Sequence, residues 1–464
     1  KIYFSGYFGR DVLGLDNAFN TDWGNATGTL RWNSIINPKL FSNTSIIYSD
    51  YDYNIGFVNG DSEFNINSNI QDWNLKQDFS FYPNPKNEIQ FGLNAIYHTL
   101  TPSIITGTSI NNPTQSVGRE SLENAVYVTN KYTVNQKLTL DYGLRLSAYS
   151  ILGGDTYNTY NNGELTSQLV LPAGEIGKTY FNLEPRITSN YRINDKSSIK
   201  AGYSRNTQNL HLLSNSTGGS PTDTWIGNSY NIKPEIADQV SLGFSRNFKN
   251  NKFEFNAETY YKNMQNQVDY RDGADIFTAT DVESELLFGK GRAYGLELLL
   301  KKKTGKLTGW IGYTLSKTER QIDGINNNEW YNARQDRTHD VSIVGIYEFN
   351  PRWTLSGTFI YNTGNAVTYP IGKYNLNGNT VYEYASRNGN RMPATNRLDL
   401  SLTYEKPSKG RFQSSWNVGV YNAMGTQNPF AITFRDNADD PSVTEAVQTS
   451  LFRWVPSVTY NFKF

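Results

Sequence analysis

Hydrophobic and polar residues alternate with a period of two in many segments of the chain. In the segment Val458–Phe464 every second residue is apolar, and the residues between them are polar. The same pattern occurs in residues 138–147, 253–257, 294–300 and 397–404. Successive side chains of a strand point to opposite faces, so this alternation predicts strands with one apolar and one polar face. The chain is therefore expected to be all-β.

The connections between the predicted strands alternate between short and long. Short turns rich in Asn, Pro, Gly and Lys occur at Asn135–Lys137, Asn250–Lys252 and Asn350–Arg352, among other places. A soluble sandwich gives no reason for this regularity, whereas an outer-membrane barrel has short periplasmic turns and long extracellular loops. The long polar segments are Thr101–Glu123, Gly153–Lys178, Ser214–Lys233, Glu319–Arg337, Tyr369–Arg391 and Gln427–Thr449.

Counting strands in this way gives eighteen, from about Ile2–Arg10 to about Ser450–Phe464. An even number places both ends of the chain on the side of the short turns. We therefore predict a transmembrane antiparallel β-barrel in the bacterial outer membrane, with residues 1–464 forming a single domain.

Composition narrows the classes of function. Only 37% of the 464 residues are hydrophobic and 14% are aromatic, which suits a barrel that has lipid outside and water inside. No run of about 18 apolar residues is present, so no transmembrane helix is expected. The 43 basic and 43 acidic residues balance, which argues against a nucleic-acid partner.

The chain offers little for catalysis or metal binding. It has no cysteine, which excludes disulfides, thiolate metal sites and cysteine nucleophiles. Its histidines, His98, His211 and His339, are far apart and have no metal-ligand spacing. No nucleophile elbow or phosphate-binding glycine loop is present. We therefore expect no catalytic residues, no metal and no cofactor, and predict that the chain is not an enzyme.

Four segments together resemble the TonB-dependent receptor family, particularly its Bacteroidota branch. They are Gly291–Lys317, Arg334–Asp340, Ile232–Glu235 and the ending Tyr460–Phe464. The resemblance implies a 22-stranded barrel with an N-terminal plug domain. Eighteen strands and no plug would then correspond to strands five to twenty-two, the C-terminal part of the barrel.

The resemblance implies active uptake of a scarce nutrient across the outer membrane. Loops capture the ligand, a plug blocks the lumen, and energy delivered by TonB displaces the plug. The ligand stays open between a siderophore, cobalamin, a peptide and an oligosaccharide. Two alternatives remain: a passive porin of eighteen strands, and a receptor-like barrel that is a structural component of an outer-membrane complex.

Implied partners are outer-membrane lipid, the TonB energy-coupling complex through the plug, and the barrel assembly machinery. A surface lipoprotein or a larger membrane complex is a further candidate. The alternating aromatics Tyr460, Phe462 and Phe464 resemble the terminal signal that the assembly machinery reads.

Aromatic and arginine side chains in the long segments are candidate ligand anchors, because they are rigid and bind polar ligands well. They could instead form an interfacial girdle or pack the loops together. The candidates are Trp225, Tyr230, Trp330, Tyr331, Arg334, Tyr382, Tyr384 and Arg387.

Charged residues on the polar faces of strands are candidates for lining the lumen and docking a plug by ion pairs. General hydration of the lumen is the alternative explanation. The candidates are Asp141, Arg145, Glu254, Glu258, Arg397 and Asp399.

Overall fold

A computed structural model describes residues 1–15, 19–59, 62–107, 118–213, 224–274, 281–376, 379–407, 410–440 and 442–464. Residues 108–117 and 214–223, which belong to two of the long segments, lie outside the described residues. None of the helices in these ranges is long and apolar enough to cross a membrane.

Strands dominate the described residues, which also contain two short 3-10 helices, Val282–Glu285 and Asn326–Asn328. The first fourteen strands are β1 (Ile2–Leu15), β2 (Phe19–Asn37), β3 (Leu40–Asn59), β4 (Ser62–Asn84), β5 (Asn87–Gly107), β6 (Arg119–Thr133), β7 (Leu138–Leu152), β8 (Asp155–Asn161), β9 (Glu164–Leu171), β10 (Ile176–Asn194), β11 (Ser197–Gln208), β12 (Leu210–Leu213), β13 (Thr224–Gly227) and β14 (Glu235–Phe248). The others are β15 (Phe253–Tyr270), β16 (Leu286–Lys302), β17 (Leu307–Ile322), β18 (Tyr331–Asn332), β19 (His339–Asn350), β20 (Trp353–Asn362), β21 (Ala366–Val367), β22 (Pro370–Leu376), β23 (Asn379–Tyr384), β24 (Asn390–Arg391), β25 (Thr395–Lys406), β26 (Gln413–Tyr421), β27 (Ala431–Asp436), β28 (Thr444–Thr449) and β29 (Val455–Lys463).

One antiparallel sheet of nineteen strands forms the barrel wall. Leaving out the two-residue strand β18, eighteen long strands pair with their neighbours in chain order, so the predicted number of strands is confirmed. The remaining strands form five separate hairpins or bridges: β8–β9, β12–β13, β21–β24, β22–β23 and β27–β28. All five lie in the long connections. We call the end of the barrel that carries them the loop end and the opposite end the turn end.

An asparagine starts most of the tight turns at the turn end. Its side-chain oxygen accepts the backbone N–H of the residue two positions further on, at 2.8–3.0 Å in five such turns. This local hydrogen bond closes an Asx turn and stabilises the reversal without help from the rest of the fold. The asparagines are Asn37, Asn84, Asn135, Asn194 and Asn350.

The two faces of the wall differ as the alternation predicts. Leu144, Leu242 and Leu400 point outward and are 41%, 54% and 37% exposed. Ser147 and Glu184 point inward and are buried. An apolar outer face and a polar inner face are what a strand between lipid and water requires, so the sequence prediction of an all-β membrane barrel is confirmed.

The two edge strands of the sheet, β1 and β29, do not pair with each other. No ladder joins them in the part of the chain that the structure describes, and almost every residue of both strands is exposed. β1 extends to Leu15, past the predicted Arg10, and β29 begins at Val455, after the predicted Ser450. The correspondence with strands five to twenty-two of a larger barrel stays a prediction.

Candidate functional site

The hairpin β12–β13 folds into the barrel and reaches a distant part of the wall. Trp225 of β13 packs against Tyr53, Ile55 and Ile66, which lie on the inner faces of β3 and β4. The hairpin itself arises between β11 and β14, so β3 and β4 lie several strands away along the sheet. This segment therefore crosses the inner space at the loop end.

The other side of the same hairpin packs against β15 and β16, which lie close to the strands β11 and β14 that the hairpin connects. Leu213 and Ile226 are almost fully buried and contact Val268, Tyr270 and Leu286 of β15 and β16. Apolar contacts on both sides, each removing large side chains from water, fix the hairpin between two parts of the wall. We call Leu210–Leu213 together with Thr224–Gly227 the crossing hairpin.

Polar contacts at the base of the crossing hairpin hold it in register. The Asn209 amide donates to Oε2 of Glu123 on the wall at 2.7 Å, and the Asn228 amide donates to Oδ1 of Asn209 at 2.8 Å. Nε2 of the buried His211 lies 2.8 Å from Oδ1 of Asn228. Buried polar groups are costly unless they are hydrogen-bonded, so this chain of contacts favours one position of the hairpin.

A cavity of about 820 Å³ lies beside the crossing hairpin at the loop end. Leu212 and Leu213 of the hairpin form one side, and the loop ends of β11, β14, β15 and β17 form the rest together with the connection after β18 and with Asn365 and Asn388. The lining contains amide side chains, including Gln208, Gln267 and Asn388, which can both donate and accept hydrogen bonds. A concave site with a few placed polar groups is the usual form of a small-molecule site.

Three arginines and two carboxylates also line this cavity. They are Arg320, Arg334, Arg337, Glu235 and Asp269. Both carboxylates have basic neighbours: Oε1 of Glu235 lies 3.5 Å from Nδ1 of His211 in the crossing hairpin, and Oδ2 of Asp269 lies 3.8 Å from Nη1 of Arg320 in the wall. Arg337 is exposed and forms no ion pair within the described ranges. The cavity can therefore offer a guanidinium to an anionic or strongly polar ligand.

Asp269 also joins two of the loops. Its Oδ2 accepts the hydroxyl of Tyr331 at 2.9 Å, and its Oδ1 accepts Nη1 of Arg387 at 3.0 Å. Arg387 additionally donates to the carbonyl of Tyr270 at 2.6 Å and to Asp272 at 2.7 Å. Burial and the adjacent Asp269 carboxylate raise the pKa of Tyr331, so its hydroxyl stays protonated and continues to donate.

A second buried carboxylate, Glu283, connects other loops. Its Oε2 accepts the Ser229 hydroxyl at 2.6 Å and the Asn231 amide at 2.5 Å, and its Oε1 pairs with Arg119. The ion pair with Glu283 raises the pKa of Arg119 although burial acts in the opposite direction. The loop end is therefore tied together by charged groups that are shared between connections far apart in sequence.

The predicted loop anchors are dispersed in the structure. Trp225 belongs to the crossing hairpin, whereas the Tyr230 ring lies 5.3 Å from the Tyr157 ring in another cluster. Trp330 lies over Arg292, with 4.1 Å between the ring centroid and Cζ.

The remaining anchors have equally different surroundings. Tyr331 and Arg387 meet at Asp269, while Tyr382 and Tyr384 lie in the hairpin β22–β23. Only Arg334 of the eight lines the cavity. Their part in ligand binding stays a prediction.

The predicted lumen residues pair mainly with other wall residues. Arg145 lies 3.6 Å from Glu123 and 3.7 Å from Glu184, and the Arg145 guanidinium is not paired with Asp141. Glu258 stands directly across the ladder from Glu297, so two carboxylates are adjacent on the inner face.

The other pairs lie nearer the turn end and on the last strands. Glu254 forms an ion pair of 2.5 Å with Lys303. Arg397 forms one of 3.0 Å with Asp399 and also lies over the Tyr421 ring. Docking of a plug by these residues stays a prediction.

The C-terminal aromatics form one continuous row. The Tyr460 and Phe462 rings are 6.1 Å apart, and the Phe462 and Phe464 rings are 6.2 Å apart. All three are exposed on the outer face. Their use as an assembly signal stays a prediction.

Sequence reasoning missed the residues that organise the loop end: Asp269, Glu283, Arg320 and Arg337. Arg337 lies inside Arg334–Asp340, one of the segments that resemble the receptor family, but the sequence did not indicate that it lines a cavity. The other three become significant only through contacts across 50 residues or more, for which the sequence carries no signal. Within the described ranges, no group of His, Cys, Asp and Glu has a metal-binding arrangement.

Comparison with known proteins identifies the class. The family described as "TonB dependent receptor-like, beta-barrel" matches residues 3–423, and the chain therefore belongs to the TonB-dependent receptor family. It is accordingly an outer-membrane barrel of a receptor family, which is a family of transporters and not of enzymes. No curated protein matches the sequence.

Solved structures with the same fold have low sequence identity. The ferric-catecholate import receptor Fiu of E. coli K12 is 13% identical, with a TM-score of 0.59 over 97% of this chain. The ferric preacinetobactin receptor BauA of Acinetobacter baumannii is 12% identical, with a TM-score of 0.62 over 100% of this chain. The copper transporter OprC is 13% identical, with a TM-score of 0.63 over 96% of this chain. The chain spans 65%, 70% and 66% of these proteins, respectively.

Proposed function

We propose that this chain is the barrel part of a receptor that takes up a small, polar nutrient across the outer membrane, with energy supplied through TonB. The cavity beside the crossing hairpin is the site that captures the nutrient from outside the cell. The observation that carries the proposal is this cavity at the loop end, whose lining combines amides with the exposed guanidinium of Arg337, which has no ion pair within the described residues.

The crossing hairpin favours a receptor over a passive porin. A porin conducts through an open aqueous lumen. Here Trp225 and Ile226 anchor a segment of the chain across the mouth, where it obstructs the path of a freely diffusing solute. A receptor needs such a closed mouth, because the ligand must be held until energy is supplied.

The proposed ligand site leaves the ligand class open between a siderophore, cobalamin, a peptide and an oligosaccharide. The exposed guanidinium of Arg337, which has no ion pair among the described residues, favours members of these classes that carry carboxylate, phosphate or catecholate groups. Recognition by the assembly machinery through Phe464 and contact with a surface lipoprotein are further proposals.

Uptake by energised cells tests the proposal. The purified full-length protein is incubated with growth medium and washed, and the compounds it retains are identified by mass spectrometry. The retained compound is then labelled and supplied to cells with and without a protonophore. Uptake that stops with the protonophore supports energised transport. Uptake that continues unchanged indicates a porin, and retention without any uptake indicates a structural component.

The contribution of the cavity is measured in the same assay. Arg337→Gln keeps a flexible polar side chain, although a shorter one, and removes its charge. We expect it to weaken retention about tenfold, because a charge-assisted hydrogen bond is lost. Lys373→Gln, which removes the same charge from an ion pair with Asp436 outside the cavity, is the matched control, and this variant should retain the compound normally.

A further inference from the structure

A cationic cluster lies on the outer face of β16 and β17, next to the lipid-facing stripe. Leu296 and Leu300 of that stripe are exposed on the outer face. The next outward residue toward the loop end is Tyr294, whose ring stacks on Tyr261 at 6.4 Å. Aromatic rings of this kind mark the level where hydrocarbon gives way to headgroups. Residues immediately beyond Tyr294 therefore lie at the headgroup level.

The outward positions beyond this aromatic pair are basic. Lys317 stands directly across the ladder from Tyr294, and Arg292 and Lys290 follow on β16. The intervening Gly291 and Ala293 are buried on the inner side, which fixes the outward direction of the basic side chains. Three cations therefore share one outer patch, which we call the basic patch: Lys290, Arg292 and Lys317.

One buried carboxylate organises the basic patch without neutralising it. Glu319 accepts Nε of Arg292 at 2.7 Å and Nζ of Lys317 at 2.6 Å. Three positive groups and one negative group leave a formal charge of +2. The Arg292 and Lys317 side chains are 33% and 45% exposed to solvent, so hydrogen-bond donors of both still face outward.

Trp330 holds the guanidinium in place from the loop side. Its ring centroid lies 4.1 Å from Cζ of Arg292 and 5.7 Å from Nζ of Lys290. Cation–π contact with a tryptophan is the strongest of its type and restricts the orientation of a long side chain. The donors of Arg292 are thus pre-oriented before any ligand arrives.

Two other described parts of the outer face at the loop end lack this surplus of positive charge. On β11 and β14, Arg205 is paired with Asp238 through bonds of 2.7 and 2.9 Å. On β3 and β4, the carboxylate of Asp50 accepts the amides of Asn69 and Gln71. The basic patch therefore differs in charge from both of these parts of the rim.

We propose that the basic patch binds the phosphate group of a lipid headgroup in the outer leaflet of the membrane. A guanidinium fork and two ammonium groups match the geometry and charge of a phosphate monoester. The long loops of outer-membrane barrels are extracellular, so this patch meets the outer leaflet. Clusters of Lys and Arg beside a membrane surface recruit anionic headgroups in this way. The proposal does not depend on which nutrient the receptor takes up.

Lipid binding to the full-length protein in a neutral detergent tests the proposal. The probes are lipid A carrying both phosphates, the same lipid after enzymatic dephosphorylation, and inorganic phosphate, with complexes counted by native mass spectrometry. We expect the phosphorylated lipid to bind about tenfold more tightly than the dephosphorylated one. Equal binding of the two lipids would overturn the proposal. Binding that inorganic phosphate abolishes at the same concentration as the lipid would identify a free-anion site and would also overturn it.

Two variants locate the binding on the basic patch. The triple change Lys290→Gln, Arg292→Gln and Lys317→Gln should abolish the preference for phosphorylated lipid. Because it leaves Glu319 without partners, the single change Lys290→Gln, at an exposed side chain outside the Glu319 ion pairs, is made as well and should reduce the preference about threefold.

The matched control is Lys262→Gln, which removes the same charge on the inner face of the neighbouring β15 and should leave lipid binding unchanged. A preference that survives in both patch variants would show that the lipid binds elsewhere.

Discussion

The hydroxyl of Tyr331 donates to the carboxylate of Asp269 across 2.9 Å and joins the loop end of β15 to a connection 62 residues further along the chain. Arg387, from a second connection, donates to the same carboxylate. Three segments that appear independent in the sequence are therefore held at one point on the rim of the cavity. The order of the loop end depends on this shared carboxylate.

Replacing Arg387 by Ala should loosen these segments. The change removes the closest cationic partner of Asp269, whose side chain is only 11% exposed, and an uncompensated buried charge costs about 3–5 kcal/mol. Partial compensation by Arg320 and water should reduce the local cost to about 2 kcal/mol. Hydrogen exchange should become faster in residues 269–272 and 385–391. The control Arg435→Ala breaks the exposed pair with Glu445 and should have almost no effect. Equal exchange in both variants would contradict the role given to Asp269.

The crossing hairpin should depend on Trp225. Changing this residue to Ala removes the contact with Tyr53, Ile55 and Ile66, at a cost of about 2–3 kcal/mol for a partly buried tryptophan. Hydrogen exchange in Leu210–Leu213 and Thr224–Gly227 should then accelerate by more than about tenfold. Trp454→Ala, at a side chain that is 65% exposed, is the control. Unchanged protection in the Trp225 variant would mean that the hairpin is held by its base alone.

Sequence alone predicted the barrel well, because the signals that fix it are local. Alternation along Val458–Phe464 depends only on neighbouring residues, and an asparagine such as Asn135 closes its turn with its own side chain. The loop end was not predictable in this way. The partners of Glu283 are Arg119 and Ser229, 164 and 54 residues away, and no periodicity relates these positions.

The lipid-facing assignment can be measured on two adjacent residues. Leu400 lies at the centre of β25 and points outward, while Ser401 points inward. Leu400→Arg should cost about 2–4 kcal/mol in folding titrations into lipid vesicles, since the charge must enter the hydrocarbon. Ser401→Arg should cost far less because its side chain faces water. Similar costs for both changes would contradict the orientation of the strand.

The hydroxyl of Tyr160, on β8, should titrate at high pH. Burial, and then the neighbouring carboxylate of Asp281, raise the pKa of Tyr160 to about 12. The folded protein thus holds this proton more tightly than the unfolded chain, where tyrosine titrates near pH 10. The stability that Tyr160 contributes is complete below about pH 10 and is lost as the pH rises toward 12.

Hydrogen exchange in residues 155–161 and 281–285 should therefore accelerate between these pH values. Tyr160→Phe should reduce that acceleration. The control Tyr374→Phe, at an exposed side chain, should not change it. An identical response of the wild type and the Tyr160 variant would exclude Tyr160 as the titrating group.

The last prediction concerns the two edges of the sheet. A strand edge in lipid leaves backbone N–H and C=O groups unpaired at a cost of several kcal/mol each, so β1 and β29 must both find partners in the membrane. If the chain corresponds to strands five to twenty-two of a larger barrel, those partners are other strands, and β1 and β29 remain apart.

Pairs of introduced cysteines measure the separation of β1 and β29 in the full-length protein. Ser5→Cys with Thr29→Cys, which face each other across the β1–β2 ladder, should form a disulfide readily. Ser5→Cys with Thr459→Cys should not, because a disulfide requires Cα atoms within about 7 Å. The same should hold for Tyr3→Cys and Tyr7→Cys paired with Thr459→Cys, which allow for shifted registers. Efficient cross-linking of any of these edge pairs would mean a closed barrel of eighteen strands, and the porin interpretation would then replace the receptor.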